Sequence, residues 1–273
     1  MSNYIKISFN NTTAEQKDVL VARLSDIQFE GFEEGHSFLL AFIQENEFNE
    51  PLLRDVAADL GLHYEKELVP QQNWNKSWEE NFQPVVVDDF CCIRAAFHPP
   101  ATGVKYDIII TPKMSFGTGH HATTFLMIQS MSKIDHQHKS VLDFGTGTGL
   151  LAILAEKLGA EKVLGIDNDD WSIENAAENI ADNNCTKIRV KEASTISTDQ
   201  KFDIILANIN KNVLLTSMPL LKQQLQNDGV VVMSGLLKGD RQQIEEMAEL
   251  NGLKLYLALE KDAWIALQFS HMI

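Results

Sequence analysis

The sequence predicts an α/β chain in two parts: a small α+β unit, then a larger doubly wound domain on a mostly parallel sheet. Three observations carry that expectation. An apolar run, residues 141–144, meets glycines at 145, 147 and 149 and passes straight into a helical stretch, residues 150–158. Two further apolar runs, residues 162–166 and 201–207, stop at the polar residues Asp167 and Asn208. Upstream, residues 1–68 alternate strand and helix patterns in the order β-α-β-β-α-β.

Taken in order, residues 4–9 alternate as a half-buried strand. Thr12 or Thr13 is placed to cap a helix with Val19, Leu20, Leu24 and Ile27 at helical spacing. Residues 29–32 and 37–43 read as strands on either side of Glu34 and Gly35. Asn49 caps a second helix, with Pro51 in its first turn and Leu52, Leu53, Val56 and Leu60 facing inward. Residues 63–68 supply a last strand. Together these make residues 1–68 a ferredoxin-like split βαβ. It holds no catalytic constellation, so substrate recognition is its expected role, ahead of scaffolding or dimerisation.

Trp74, Trp78 and Phe82 are each four apart and Pro84 follows, which predicts a linker helix over residues 69–84. The larger domain, residues 85–273, opens with short strands at 85–87, 91–96 and 106–111. Residues 114–124 form a loop rich in glycine and hydroxyls. Thr123 or Thr124 would cap a helix starting near Phe125, and a hydroxyl at a helix N-terminus suits a carboxylate. His120 and His121 are adjacent and lack a carboxylate at ligand spacing, so no metal is expected.

The glycine turn carries the chemistry. Glycine allows the unusual backbone angles of such a turn and lets a ligand approach the backbone. Its spacing is G-x-G-x-G, not the G-x-G-x-x-G that seats a pyrophosphate on a helix N-terminus. Asp143, two residues earlier, would repel a pyrophosphate and attract an ammonium or sulfonium. The pair of signals favours S-adenosylmethionine over NAD. Asp167 is placed to accept from both ribose hydroxyls. Asn208 ends its strand at the carboxyl edge of the sheet, where such folds bind ligands, and its carbonyl oxygen could orient an amine.

The remaining elements complete a Rossmann-like sheet. Residues 171–183 read as a helix, 187–190 as a third strand and 201–207 as a fourth, apolar as a central parallel strand should be. A helix, a strand at 229–234 and a helix near 240–250 follow. Residues 253–259 and 264–269 then pair as an antiparallel hairpin.

Lys plus Arg number 23 against 38 Asp plus Glu, a net charge of −15 that disfavours nucleic-acid backbones and favours a basic protein partner. Three cysteines, with Cys91 and Cys92 adjacent and Cys185 apart, indicate neither a disulfide framework nor a zinc site. No targeting signal or membrane-length apolar run is evident, so a cytoplasmic, membrane-free monomer is expected.

On these residues the chain resembles the ribosomal protein L11 methyltransferases (PrmA type), of the class I methyltransferase fold. The likeness covers nearly the whole chain. It includes the N-terminal unit, Trp74-Asn-Lys-Ser-Trp78, the loop from Phe116 to Thr124, Asp143-Phe-Gly-Thr-Gly-Thr-Gly149, Gly165-Ile-Asp167 and Ala207-Asn-Ile209. His120 and Ala122 stand where that family usually has Thr and Pro. The resemblance implies methyl transfer from S-adenosylmethionine to lysine side chains or the N-terminal amine of a large-subunit ribosomal protein, releasing S-adenosylhomocysteine. It implies Thr124, Gly145, Asp167 and Asn208 as cofactor contacts, with Gly147 in the same turn, and names no general base. Two alternatives fit less well. A nucleic-acid amino-methyltransferase would carry Asn-Pro-Pro-aromatic where this chain has Asn208-Ile-Asn-Lys211. A nucleotide-binding oxidoreductase is opposed by Asp143 and the glycine spacing.

Overall fold

Residues 3–69, 83–111, 121–196 and 200–272 are described by the computed structural model. The chain divides into two compact units, Met1–Ser77 and Trp78–Ile273. The helix expected over residues 69–84 falls almost wholly outside the described residues, as does His120 with most of the 114–124 loop.

In the smaller unit, Ile5, Ile7 and Phe9 alternate inward along β1 (Tyr4–Asn10). Thr13 caps α1 (Ala14–Ser25) in a capping box with Gln16, which settles the choice between the two threonines. Strands β2 (Gly31–Glu34) and β3 (Phe38–Gln44) follow, then α2 (Glu50–Asp59), capped by Asn49, and β4 (Tyr64–Val69). The antiparallel sheet has the order β2-β3-β1-β4. Leu53 and Val56 of α2 are buried as expected, but Leu52 is exposed, at the margin of the face defined by Leu53, Val56 and Ala57.

The larger unit begins with a three-stranded sheet, β5 (Val85–Val87), β6 (Cys91–Arg94) and β7 (Tyr106–Ile109), in which β7 is an edge parallel to β6. Arg94 holds β7 from the inside, with Nε and Nη2 donating to the Asp107 carboxylate at 2.9–3.0 Å. Helix α3 spans Ala122–Met131. Then come β8 (Ser140–Phe144), α4 (Leu150–Lys157), β9 (Lys162–Asp167), α5 (Asp170–Asp182), β10 (Ile188–Glu192), β11 (Phe202–Asn208), α6 (Lys211–Gln224), β12 (Leu225–Leu237), α7 (Arg241–Leu250), β13 (Leu253–Lys261) and β14 (Trp264–His271).

The seven-stranded sheet runs β10-β9-β8-β11-β12-β14-β13. Strands β8 to β12 are parallel; β14 is antiparallel to both neighbours and slots between β12 and β13. Chain order reverses between β8 and β11, so the crevice beyond their carboxyl ends is where a doubly wound sheet takes a ligand. Two buried layers flank the sheet. One gathers Val141, Ile153 and Leu154 with α3, and the other gathers Leu142, Leu214 and Met218 with α6 and α7. No helix among the described residues is long and apolar enough to cross a membrane.

Candidate functional site

The carboxyl ends of β8, β9 and β11 bring the predicted residues together. Phe144 and Asp143 leave β8 in register with Ile166 and Gly165 of β9 and with Ala207 and Leu206 of β11. The turn after β8 has positive φ at Gly145 (77°), Gly147 (52°) and Gly149 (78°), the region that disfavours a side chain. Space enforces the choice as well. A Cβ on Gly145 would lie 2.3 Å from Ile209 Cγ2. Gly149 caps α4 through its backbone, and a Cβ there would lie 3.1 Å from Ala176 Cβ of α5.

Asp167 ends β9 half-buried. Its Oδ2 accepts from Gly147 N at 2.9 Å and its Oδ1 from Asp169 N at 3.2 Å. The acid therefore braces the glycine turn, and each oxygen retains a lone pair for a hydroxyl donor. Burial raises its pKa, against the opposing pull of the Gly147 and Asp169 amides.

Asp143 departs from the expectation of a charge facing the ligand. It is only 1% exposed and sits under the turn, its Oδ2 accepting from Thr146 Oγ1 (2.7 Å) and Ala152 N (3.2 Å). Burial pushes its pKa up to about 7, so near neutral pH the carboxyl is partly protonated. Its first task is to fasten the turn to α4. Oδ1 is buried and has no hydrogen-bond partner among the described residues.

On the far side of the crevice, helix α3 begins at Ala122, three residues before the expected start. His121, not a threonine, is its N-cap: Nδ1 accepts from Thr123 N at 3.3 Å and lies 2.8 Å from Thr123 Oγ1. An acceptor Nδ1 leaves the proton of the neutral ring on Nε2. The ring packs edge-on against Trp264, with centroids 4.5 Å apart. Burial pushes His121 down to about 4, so it is uncharged at neutral pH and too weak a base to take a proton from an ammonium. Capping preferences pointed to threonine because histidine rarely caps; the neutral imidazole here serves as the acceptor. Thr124, released from capping, is 2% exposed, and its Oγ1 accepts from Asn208 Nδ2 at 3.4 Å. That contact ties the end of β11 to the start of α3 across 84 residues of sequence.

Ile209 is a residue that pattern reading passed over as mere motif. Its side chain fills the space over Gly145, and its carbonyl oxygen sits 2.2 Å from where a Cβ on Gly235 would be. Gly235, with φ 85°, lies at the irregularity in the β12–β14 pairing between Met233 and Leu236. Two glycines thus clear a path for the chain leaving Asn208.

This donor and acceptor set fits a ligand bearing ribose hydroxyls and an amino acid moiety. Asp167 has lone pairs to spare, and the turn is backbone that a ligand can approach closely. The sheet order, with its inserted antiparallel strand, and the glycine turn and acid at the switch point define a class I, S-adenosylmethionine-dependent methyltransferase. The comparisons make that specific. The family model described as ribosomal protein L11 methyltransferase (PrmA) matches residues 6–272, and the chain belongs to that family. The chain is 41% identical over 268 residues to the ribosomal protein L11 methyltransferase of Porphyromonas gingivalis, covering 93% of this chain and 90% of that protein. It is 38% identical over 276 residues to the one from Phocaeicola vulgatus, covering 97% and 98%. Among solved structures it is similar to the ribosomal protein L11 methylase of Lactobacillus delbrueckii subsp. bulgaricus, with a TM-score of 0.66 and 32% identity over 70% of this chain and 100% of that one. A methyltransferase from Pyrococcus furiosus, at TM-score 0.51 and 18% identity over 61% of this chain and 90% of that one, shares the fold.

Proposed function

We propose that this methyltransferase acts on amino groups, lysine side chains or the N-terminal amine, of the large-subunit ribosomal protein L11. Gly145, Gly147, Asp167, Thr124 and Asn208 would hold the cofactor, and residues 1–68 would recognise the protein substrate. The observation that carries this reading is the convergence of the glycine turn, Asp167 and the Asn208–Thr124 pair at one switch point.

When bound, S-adenosylmethionine supplies an electrophilic methyl on a sulfonium. The residues of the chain do the rest. Asp167 anchors the ribose end through both oxygens. Asn208 donates Nδ2 to Thr124, and its Oδ1 is the proposed acceptor for an incoming amine. A lysine amine, with a free pKa of about 10.4, must arrive neutral to present its lone pair, and desolvation in the crevice lowers that pKa. With His121 too weak a base, catalysis rests on positioning. Displacement at a sulfonium methyl requires no Lewis acid, and we assign no metal to the site. The acidic surface, net −15, supports a basic protein partner over a nucleic acid. We place the enzyme in the cytoplasm as a monomer, where its ribosomal substrate is made.

The test is incubation of the purified enzyme with purified ribosomal protein L11 and isotopically labelled S-adenosylmethionine. Mass spectrometry should locate the label on amines. Absence of label from the ribosomal protein, or label on groups other than amines, defeats the reading.

A further inference from the structure

Helix α5 and its C-cap carry asparagine at 175, 179 and 183, one turn apart on a single face, and all three are at least nine-tenths buried. Asparagine is a poor interior helix residue because its amide competes for backbone partners. Here the competition is put to use. Strand β7 is the edge of its sheet, and the chain there leaves the backbone of Ile109 and Thr111 facing α5. Asn183 closes on Ile109 from both sides, Oδ1 accepting from its N–H at 3.0 Å and Nδ2 donating to its carbonyl at 2.6 Å. Asn179 Oδ1 accepts from Thr111 N at 2.8 Å. Residues four apart on a helix rise about 6 Å, and residues two apart on a strand about 6.6 Å, so side-chain amides pair with every second residue as a neighbouring strand would.

Asn179 does something its neighbour does not. Its Nδ2 donates to the carbonyl of Thr148, inside the glycine turn, at 2.8 Å, and to Asn175 Oδ1 at 2.7 Å. The side chain is fully buried, and Ala176, on the same helix, is the surface against which Gly149 is packed. Thus one amide holds two chain segments. One is the turn after β8. The other is Thr111, two residues beyond the end of β7.

We propose that Asn179 is a positioning residue for the cofactor, holding the glycine turn through Thr148 against the chain at Thr111. The proposal rests on S-adenosylmethionine being the ligand of this crevice. Asn179 touches no reacting atom; it acts through Thr148 and Thr111. Asn183 is the internal control, because it clamps the same strand without reaching the turn.

The experiment titrates S-adenosylhomocysteine into the full chain by calorimetry and follows thermal unfolding in parallel. Asn183→Ala should lower the melting temperature and leave the Kd within about twofold. Asn179→Ala should lower the melting temperature comparably and raise the Kd about tenfold, while hydrogen exchange at the Thr111 amide accelerates. Asn179→Asp covers the case in which the alanine variant does not fold. It keeps an acceptor for Thr111 N but sets an oxygen against the Thr148 carbonyl, so the Thr111 amide should stay protected while the Kd rises. Equal rises in Kd for the 179 and 183 variants, or an unchanged Kd in a folded 179 variant, overturn the proposal. Failure of the parent protein to bind S-adenosylhomocysteine would instead overturn the cofactor assignment on which it rests.

Discussion

At the scale of single residues, the proposed function asks Asp167 to serve both the protein and its ligand. Its carboxylate accepts from Gly147 N and Asp169 N, and a ribose would add charge-assisted hydrogen bonds worth roughly 1.5–3 kcal/mol each. Asp167→Ala should therefore weaken S-adenosylmethionine by at least about tenfold, as calorimetry would read, and unchanged affinity would remove Asp167 from the site. Asn208→Ala deletes a partner of Thr124 and the proposed amine acceptor, so single-turnover methylation should slow about tenfold with the melting temperature little changed. An unchanged rate would make Asn208 structural. Asp143 gives a pH signature. Its folded pKa, about 7, lies above the ordinary 3.8, so the folded state binds the proton more tightly. Its stabilising contribution is full below about pH 4 and is lost as pH rises through about 7. An amide in place of this carboxyl does not titrate. Asp143→Asn should thus gain on the parent protein by on the order of a few kcal/mol between pH 4 and pH 8, measured by urea unfolding at each pH. A difference independent of pH would show that the carboxyl is not perturbed by burial.

At the scale of elements, the site is a set of strand ends held apart by glycines and braced by one helix. A Cβ at Gly145 meets a side-chain methyl of Ile209, whereas one at Gly235 meets the Ile209 backbone oxygen. Gly145→Ala should be destabilising by about 1–3 kcal/mol, from the strained φ and the overlap. Adding Ile209→Ala should recover part of that loss and do nothing for Gly235→Ala, since truncation leaves the backbone where it was. Equal rescue of both would show that the clash is not the cause. The strand–turn–helix unit, Asp167 and Asn208 were legible in the sequence because each is a local signal: apolar run, glycine spacing, polar stop. The ferredoxin-like element order β-α-β-β-α-β was legible because its first strand alternates and its helices start at cap residues, Asn49 and one of Thr12 and Thr13; the structure adds the strand order β2-β3-β1-β4 and the choice of Thr13. What stayed hidden depends on contacts distant in sequence. His121, the cap of α3, packs against Trp264, far along the chain, a contact that no local preference encodes. The charge of Asp143 could be read, but not the burial that partly neutralises it. Residues 171–183 were legible only as a helix, and the roles of Asn179 and Asn183 appear once that helix is packed and their partners Thr148, Ile109 and Thr111 are in reach.

At the scale of the whole molecule, the chain has two compact units, and every residue assigned to the cofactor lies in the larger one. Within the described part of residues 1–68 the core is closed by Ile7, Phe9, Leu20, Leu24, Leu39, Ile43 and Leu53, each fully buried, so the smaller unit needs no catalytic purpose to fold. Methylating a small molecule would gain little from such an appendage. A protein with several separated amines needs a handle that holds it while each amine is presented in turn. This smaller unit has 5 Lys and Arg against 13 Asp and Glu over residues 1–68, which suits a basic partner and makes capture sensitive to ionic strength. A chain beginning near Gln71 should therefore keep its affinity for S-adenosylmethionine and lose most activity on ribosomal protein L11. For the full chain, KM for the protein substrate should rise with salt while cofactor affinity changes little. Steady-state methylation of the ribosomal protein by both chains, with calorimetric cofactor binding as the control for folding, reads both effects. A truncated chain that binds the cofactor and methylates the protein at full efficiency would assign recognition to the catalytic domain and leave residues 1–68 a scaffold.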